Sequence, residues 1–587
     1  MNLIKAKEQL KHYYGYNTFR NGQEEAIERV LKGEKTVVIM PTGGGKSICY
    51  QIPALLLEGT TVVISPLISL MKDQVDALNE MGIRATYINS TLSSNEVTTR
   101  VQHLINGEYK LIYIAPERLE SVTFLQQLKQ AKIPLIAIDE AHCISQWGHD
   151  FRPSYLKITS FINEFQPKPR VIALTATATS QVRNDICEQL QIPSDQSVIT
   201  GFERPNLSFS VLKGEDRDRF LQDFIKKNEN ESGIIYCATR KETERIYKKL
   251  KAQKRNCGMY HGGMSHMERK DMQDQFLNDE ILVMVATNAF GMGINKSNVR
   301  YVIHYQMPRN MESYYQEAGR AGRDGENSQC FLLFSAQDIQ IQRFLIDSSV
   351  NEMMKEAETI KLQQMIDYCH TEACLHTYII NYFGEESVAP CGVCGNCRDE
   401  RETIDVTKEA QMVLSCMIRM GERFGNTMIA QVLTGSKNKK ITTFGFQKLS
   451  TYGLMKGVAQ KEVSALIDTF IAQKLIDVEP GKLPILKVSS TGKDVLLGKK
   501  RVYRKEAHQA SEISVHDELF ETLRQLRKQL ADDEGVPPFV IFSDKTLREL
   551  SAHHPTTFEA FLEIKGVGKQ KQEKYGKVFI EKIKGYV

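Results

Sequence analysis

The chain predicts an α/β protein: two tandem parallel-sheet domains followed by smaller, mostly helical modules. Three observations carry this. Short β-branched runs alternate with helical stretches. The alternation restarts after Gly201-Phe202-Glu203-Arg204-Pro205-Asn206. Beyond about residue 340 the strand runs stop, and helical periodicity leads into a cysteine cluster. Continuous apolar strands between helices belong to sheets buried on both faces.

The first domain draws its strands from Thr36–Met40, Thr61–Ile64, Leu111–Ile114, Leu135–Ile138 and Val171–Leu174. The second draws them from Gly233–Tyr236, Ile281–Val285 and Tyr301–His304. The boundaries read as 1–200, 201–340, 341–402, 403–502 and 511–587. Arg398–Arg401 and Lys499–Ala510 serve as polar linkers.

A length of 587 residues suits several domains, about three to five. A hydrophobic content of 41% and a charged content of 25% are ordinary for a soluble chain. The net charge of +4 neither demands nor excludes nucleic acid, so any basic surface is local. No apolar run is long enough to span a bilayer, and the start lacks a signal-peptide core. The expected location is cytoplasmic. Of 12 cysteines, Cys369, Cys374, Cys391, Cys394 and Cys397 cluster and the others are scattered. That distribution reads as reduced thiols plus a metal site, not a disulfide framework.

Met40-Pro41-Thr42-Gly43-Gly44-Gly45-Lys46-Ser47 follows a strand and opens a helix. Glycines let backbone N–H groups reach phosphates, and a helix N-terminus favours anions. Lys46 would neutralise the β/γ-phosphates of ATP, and the Ser47 hydroxyl would hold Mg²⁺. Met40 stands where the strict pattern has glycine. Asp139 and Glu140 follow an apolar strand; Asp139 is the candidate for Mg²⁺ and Glu140 for orienting water. Trp147, the one tryptophan, lies just beyond them with His149, Phe151 and Arg152. A base could stack there and report to the carboxylates; a packed core tryptophan is the plain alternative.

Cys374, Cys391, Cys394 and Cys397 place one thiol on a helix ahead of Cys-x-x-Cys-x-x-Cys. Four thiolates suit a structural Zn²⁺. Cys369 and His376 compete for the fourth position, and an iron–sulfur cluster is chemically possible.

Asp139-Glu140-Ala141-His142 is a DEAH box, and here the chain resembles superfamily 2 helicases, most closely the RecQ DNA helicases. Tyr16 and Phe19-Arg20-Asn21-Gly22-Gln23 resemble motif 0, which implies that Gln23 reads adenine between Tyr16 and Arg20. Ser65–Gln74, Ala115–Arg118 and Leu174–Ala178 resemble motifs Ia, Ib and III. Ala286–Lys296 resembles motif V. Tyr315–Gly325 resembles motif VI, with Arg320 and Arg323 three apart on an expected helical turn. Planar guanidinium groups suit charge on a γ-phosphate, and Arg323 is the arginine-finger candidate. The resemblance favours zinc at the cysteines. It makes the loop of Trp147, His149, Phe151 and Arg152 an aromatic-rich coupler between single-strand binding and hydrolysis.

The resemblance implies RecA-like domains over 1–200 and 201–340, a zinc-binding module, a winged helix and an HRDC domain. The winged helix carries a candidate recognition helix near Phe444–Leu449 and a wing near Pro480–Val488. In the HRDC segment, Ile564–Lys569 forms a Gly-x-Gly turn flanked by Lys571 and Lys574, a possible phosphate contact. The implied function is ATP-dependent 3′–5′ unwinding of single-stranded and forked DNA in recombination and repair. A single-strand DNA-binding protein and a topoisomerase are implied partners, and the chain is expected to be a monomer. An RNA helicase of the same superfamily and a scaffold without motor activity are the alternatives.

Overall fold

A computed structural model of the chain describes residues 3–586, apart from 149, 214, 292–295, 349–351, 387–388, 480–484, 506–517 and 565. The first domain holds seven parallel strands: β1 (Thr36–Ile39), β2 (Thr61–Ile64), β3 (Ala85–Ile88), β4 (Leu111–Ile114), β5 (Leu135–Ile138), β6 (Arg170–Thr175) and β7 (Ser197–Ile199). Their order is β3-β4-β2-β5-β6-β1-β7. Every residue of β1, β2, β4 and β5 is buried, as strands covered on both faces require. The order places β6 between β1 and β5. The loops leaving β1 and β5 therefore flank the end of β6, at the edge where ligands bind in open parallel sheets.

The second domain holds six parallel strands: β8 (Leu207–Lys213), β9 (Ser232–Tyr236), β10 (Cys257–Tyr260), β11 (Val283–Ala286), β12 (Val299–His304) and β13 (Ser328–Phe334). Their order is β10-β11-β9-β12-β13-β8. Five strands of the two sheets, β3, β7, β8, β10 and β13, have no counterpart among the expected runs. Four of these are sheet edges. An edge strand packs fewer neighbours and tolerates polar residues, as the half-exposed Ser208 and Ser210 of β8 illustrate.

One buried apolar cluster runs from the first sheet through Phe202 into the second sheet, and on to Cys374, Leu375 and Phe383. The cysteine module is thus part of the motor's core. Its helices span Glu352–His370 and Leu375–Tyr382. The next module has its own core under helices Thr407–Arg419, Asn426–Leu433 and Gln460–Ala472 and a hairpin of Ile476–Glu479 with Ile485–Val488. Thr403–Asp405 pairs with Tyr503–Lys505 to close it. The expected linker Arg398–Arg401 is braced instead: Arg401 pairs with Asp399, and Lys505 donates to the Asn396 carbonyl.

The last module packs helices Glu518–Glu534, Asp544–His553 and Lys569–Lys584 around a separate core. It is docked on the second sheet domain through charge. Arg548 meets Glu326 at 3.0 Å, Arg300 meets Asp544 at 3.7 Å, and Lys528 donates to the Asp279 carbonyl at 3.0 Å. No helix among the described residues is long and apolar enough to cross a membrane.

Candidate nucleotide site, coupling loop and metal centre

Gly43 and Gly45 adopt φ of +85° and +83°, a region costly for other residues. They turn the chain from β1 into helix Ile48–Leu56. A Cβ at Gly45 would fall 2.4 Å from Gln23 Nε2, whereas one at Gly43 would sit in ordinary contact, 3.4 Å from Arg323 Cα. Lys46 lies inside the loop, its ammonium donating to the Met40 carbonyl at 3.1 Å. Burial lowers its pKa, and the nearby Glu140 and Asp139 oppose that shift.

Gln23 and Arg20 brace this loop. Gln23 Nε2 donates to the Gly45 carbonyl at 3.0 Å and to that of Gly44 at 3.2 Å. Its Oε1 accepts from the Arg20 N–H, and the Arg20 guanidinium donates to the Gly43 carbonyl at 2.6 Å. Tyr16 is 49% exposed nearby in sequence. The amide of Gln23 is thus engaged with the loop's peptide groups, a bracing role the motif alone did not reveal.

Asp139 directly follows β5, and its carboxylate meets the Ser65 hydroxyl at 3.5 Å. Burial and the adjacent Glu140 push its carboxyl up to about 7. Glu140 sits at φ +48°, and its carboxylate lies 3.3 Å from His142 Nδ1. His142 Nδ1 lies 2.9 Å from Thr175 Oγ1, which joins the DEAH box to the threonine of the third motif at the end of β6.

The aromatic-rich loop presses directly on this box. A Cβ at Gly148 would fall 2.3 Å from the His142 carbonyl oxygen. Arg152 pairs with Asp150 at 3.0 Å and donates to the Pro66 carbonyl at 3.2 Å, tying the loop to motif Ia. Trp147 is 48% exposed, so it is not a core tryptophan. Phe151 is half-buried. His149 lies outside the described residues. The Trp147 carbonyl accepts from Lys361 Nζ at 2.7 Å, and the same ammonium pairs with Glu312 at 3.0 Å.

Arg320 and Arg323 arrive from the second domain. Helix Met311–Ala318 ends before them, so they stand on a run of turns through Gly322 at φ +58°, not on a helical turn as expected. Glycine ends the helix early, and backbone packing orients the two side chains. Arg320 is buried, and its guanidinium fills the space a Cβ at Gly291 would need. Arg323 lies over Gly43 and close enough to Lys46 and Glu140 to feel their charges. Burial, Arg320 and Arg204 push its pKa down to about 9. Met292–Asn295 of motif V lie outside the described residues.

The Sγ atoms of Cys374, Cys391, Cys394 and Cys397 all lie within 4.8 Å of one another. Cys391–Cys397 and Cys374–Cys394 are 3.9 and 4.0 Å apart. A tetrahedron of sulfurs at about 2.3 Å from Zn²⁺ has edges of about 3.8 Å. Backbone N–H groups of Leu375, Cys391 and Cys394 point at these sulfurs and favour thiolates. Cys369 is buried elsewhere in the core, and His376 Nε2 bonds the Leu207 carbonyl at 2.8 Å. Neither joins the cluster. The donor set fits a closed structural zinc site, and Gly395 N–H clips it to the Phe209 carbonyl of β8 at 2.7 Å.

One expectation in the outer modules changes. Phe444–Leu449 holds only a 3-10 turn, Phe446–Lys448; the helix preceding the hairpin is Gln460–Ala472. Gly445, at φ +73°, breaks the chain between the short helix Lys439–Thr443 and this turn, and the stacked Phe444 and Phe446 rings pack on Phe424. Of the wing, 480–484 lies outside the described residues. At the Gly-x-Gly turn, Lys571 donates to the Val540 carbonyl at 2.5 Å, and burial pushes it down to about 8. Lys574 pairs with Glu534. Both lysines serve the module's own fold, and Lys565 lies outside the described residues.

A phosphate loop and paired carboxylates on one parallel sheet, with two arginines delivered from a second, define a two-domain helicase-type nucleoside triphosphatase. The DEAD/DEAH box helicase family matches residues 20–186, and the helicase conserved C-terminal domain matches 216–325. RecQ zinc-binding matches 336–398, the RQC domain 400–512 and the HRDC domain 516–583. The ATP-dependent DNA helicase RecQ of Bacillus subtilis is 57% identical over 585 residues, covering 100% of this chain and 99% of that protein. Its namesake in Haemophilus influenzae is 39% identical over 588 residues, covering 98% and 95%. The chain belongs to the RecQ family of helicases.

Proposed function

We propose that this RecQ-family, ATP-dependent DNA helicase steps 3′ to 5′ along single-stranded DNA and opens forked duplex ahead of it. The observation that carries the motor reading is the seating of Arg323 on the phosphate loop, 3.4 Å from where a Gly43 side chain would begin. Residues from both domains thus surround one site. Lys46 and the loop N–H groups would hold the triphosphate, and Arg320 and Arg323 would meet its γ-phosphate. Glu140 would orient water. Tyr16, Arg20 and Gln23 would flank the base end.

Ser47 and Asp139 would hold Mg²⁺. A buried carboxyl raised to about 7 beside a second carboxylate is a donor set that a divalent cation relieves. The bound ion supplies charge neutralisation at the phosphates. Trp147, with His149, Phe151 and Arg152, would signal strand occupancy through the contact of Gly148 with His142. The 3′–5′ polarity and the implied partners, a single-strand DNA-binding protein and a topoisomerase, rest on family resemblance, as does the monomeric state.

Unwinding of 3′-tailed, 5′-tailed and blunt duplexes, in DNA and in RNA, tests this reading. The expected result is ATP-dependent opening of 3′-tailed DNA. Preference for a 5′ tail overturns the polarity, and equal action on RNA overturns the substrate class.

A further inference from the structure

Arg204 lies in the connection between the two sheets, outside the motifs that carry the chemistry above. Its side chain is buried, 8% exposed. Its N–H groups meet five acceptors. Nη1 donates to the Thr42 carbonyl at 2.6 Å and the Gly319 carbonyl at 3.4 Å. Nη2 donates to the carbonyls of Ala321 at 3.0 Å and Gly322 at 3.1 Å. Nε meets Asn206 Oδ1 at 3.4 Å. Four of these partners are peptide carbonyls and none is a carboxylate. Thr42 belongs to the phosphate loop; Gly319, Ala321 and Gly322 form the turn that carries Arg320 and Arg323.

Burying a cation with no carboxylate hydrogen-bonded to it is costly. The planar fork of arginine can reach acceptors on two sides at once, whereas an ammonium is a point donor. Asn206 holds the same turn from below, donating to the Gly322 carbonyl at 2.9 Å and the Glu326 carbonyl at 3.0 Å. The turn is therefore fixed on both flanks by the connection between the domains.

We propose that Arg204 is a positioning residue for ATP hydrolysis, tying the phosphate loop at Thr42 to the turn that presents Arg323. The proposal rests on the reading of Arg323 as a γ-phosphate group. Arg204 hydrogen-bonds to Thr42 in the loop and not to Lys46 or Ser47, so nucleotide affinity should survive its loss while turnover should not.

The test uses the full chain with Arg204→Gln, Arg204→Lys, Arg323→Gln and the double variant Arg204→Gln/Arg323→Gln. Each is measured for Kd of a fluorescent non-hydrolysable ATP analogue and for DNA-stimulated kcat, with zinc content and Tm as checks of folding. Arg204→Gln should keep Kd within about threefold and lose kcat by about a hundredfold, the scale of losing one oriented transition-state group. Arg204→Lys should lose kcat too. The double variant should be no slower than Arg323→Gln alone, because both changes remove one function.

Wild-type kcat in either Arg204 variant overturns the proposal, as does a loss explained by weaker binding, or losses that multiply in the double variant. If Arg204→Gln does not fold, Arg204→Lys, which keeps charge and stem, decides by the same measurements. Normal turnover by Arg323→Gln overturns the Arg323 reading as well; normal turnover by the Arg204 variants alone overturns only this proposal.

Discussion

Lys46 and Trp147 sit at opposite ends of one short path. Lys46 lies inside the glycine-rich loop, while Trp147 faces solvent from a loop whose Gly148 touches the DEAH box. Lys46→Ala should abolish hydrolysis while single-stranded DNA binding stays measurable; nucleotide turnover and a binding titration check this. Trp147→Ala should keep basal ATPase and lose DNA stimulation by about tenfold, the scale of one lost base–aromatic stack. Unwinding that survives intact would return Trp147 to a mere surface residue. The placement of Lys46, Asp139 and Glu140 around one sheet edge was legible because each motif is contiguous and follows an apolar strand. Arg204 was not legible. Its partners are carbonyls, which carry no side-chain signature, and they lie more than a hundred positions away in the chain for all but Asn206.

At the scale of elements, most of the internal strands of both sheets were readable from their unbroken apolar runs; β13, internal to the second sheet, was not, because Ser328, Gln329 and Cys330 interrupt its run. Edge strands such as β8 and β10 were not, since half-exposed strands need no such run. The Arg320–Arg323 segment was misread as helical because spacing alone does not show that Gly319 ends the helix. The cysteine cluster was readable from spacing, but its place in the motor's core was not. Helix Leu375–Tyr382 and the Cys391–Cys397 loop hang on β8 through the Gly395 N–H and the Ser208 hydroxyl. Zinc should therefore hold more than its own loop. Cys394→Ala should reduce zinc from about one per chain to none and lower the Tm of the helicase core, since metal binding and folding are coupled. Metal analysis with thermal unfolding checks both parts.

At the scale of the whole molecule, the terminal module is a docked body with its own core and a charged seam. Arg548→Glu would set two carboxylates against each other at Glu326. A solvent-facing pair is worth about 1 kcal/mol or less, but reversal replaces that attraction with repulsion. The radius of gyration by X-ray scattering should rise in Arg548→Glu and return in Arg548→Glu/Glu326→Arg. An unchanged radius in the single variant would show that the remaining contacts hold the module alone.

The ammonium of Lys361 stands where three modules meet: its own helix in the zinc module, Glu312 in the second sheet domain and the Trp147 carbonyl in the first. If the two sheets part, that nitrogen cannot keep both partners. A charged hydrogen bond at such a site is worth about 1.5 kcal/mol. Breaking it shifts the balance between joined and parted forms by roughly tenfold. One lysine thus bridges the tryptophan loop and the second sheet domain, and any parting of the sheets has to break one of its two contacts.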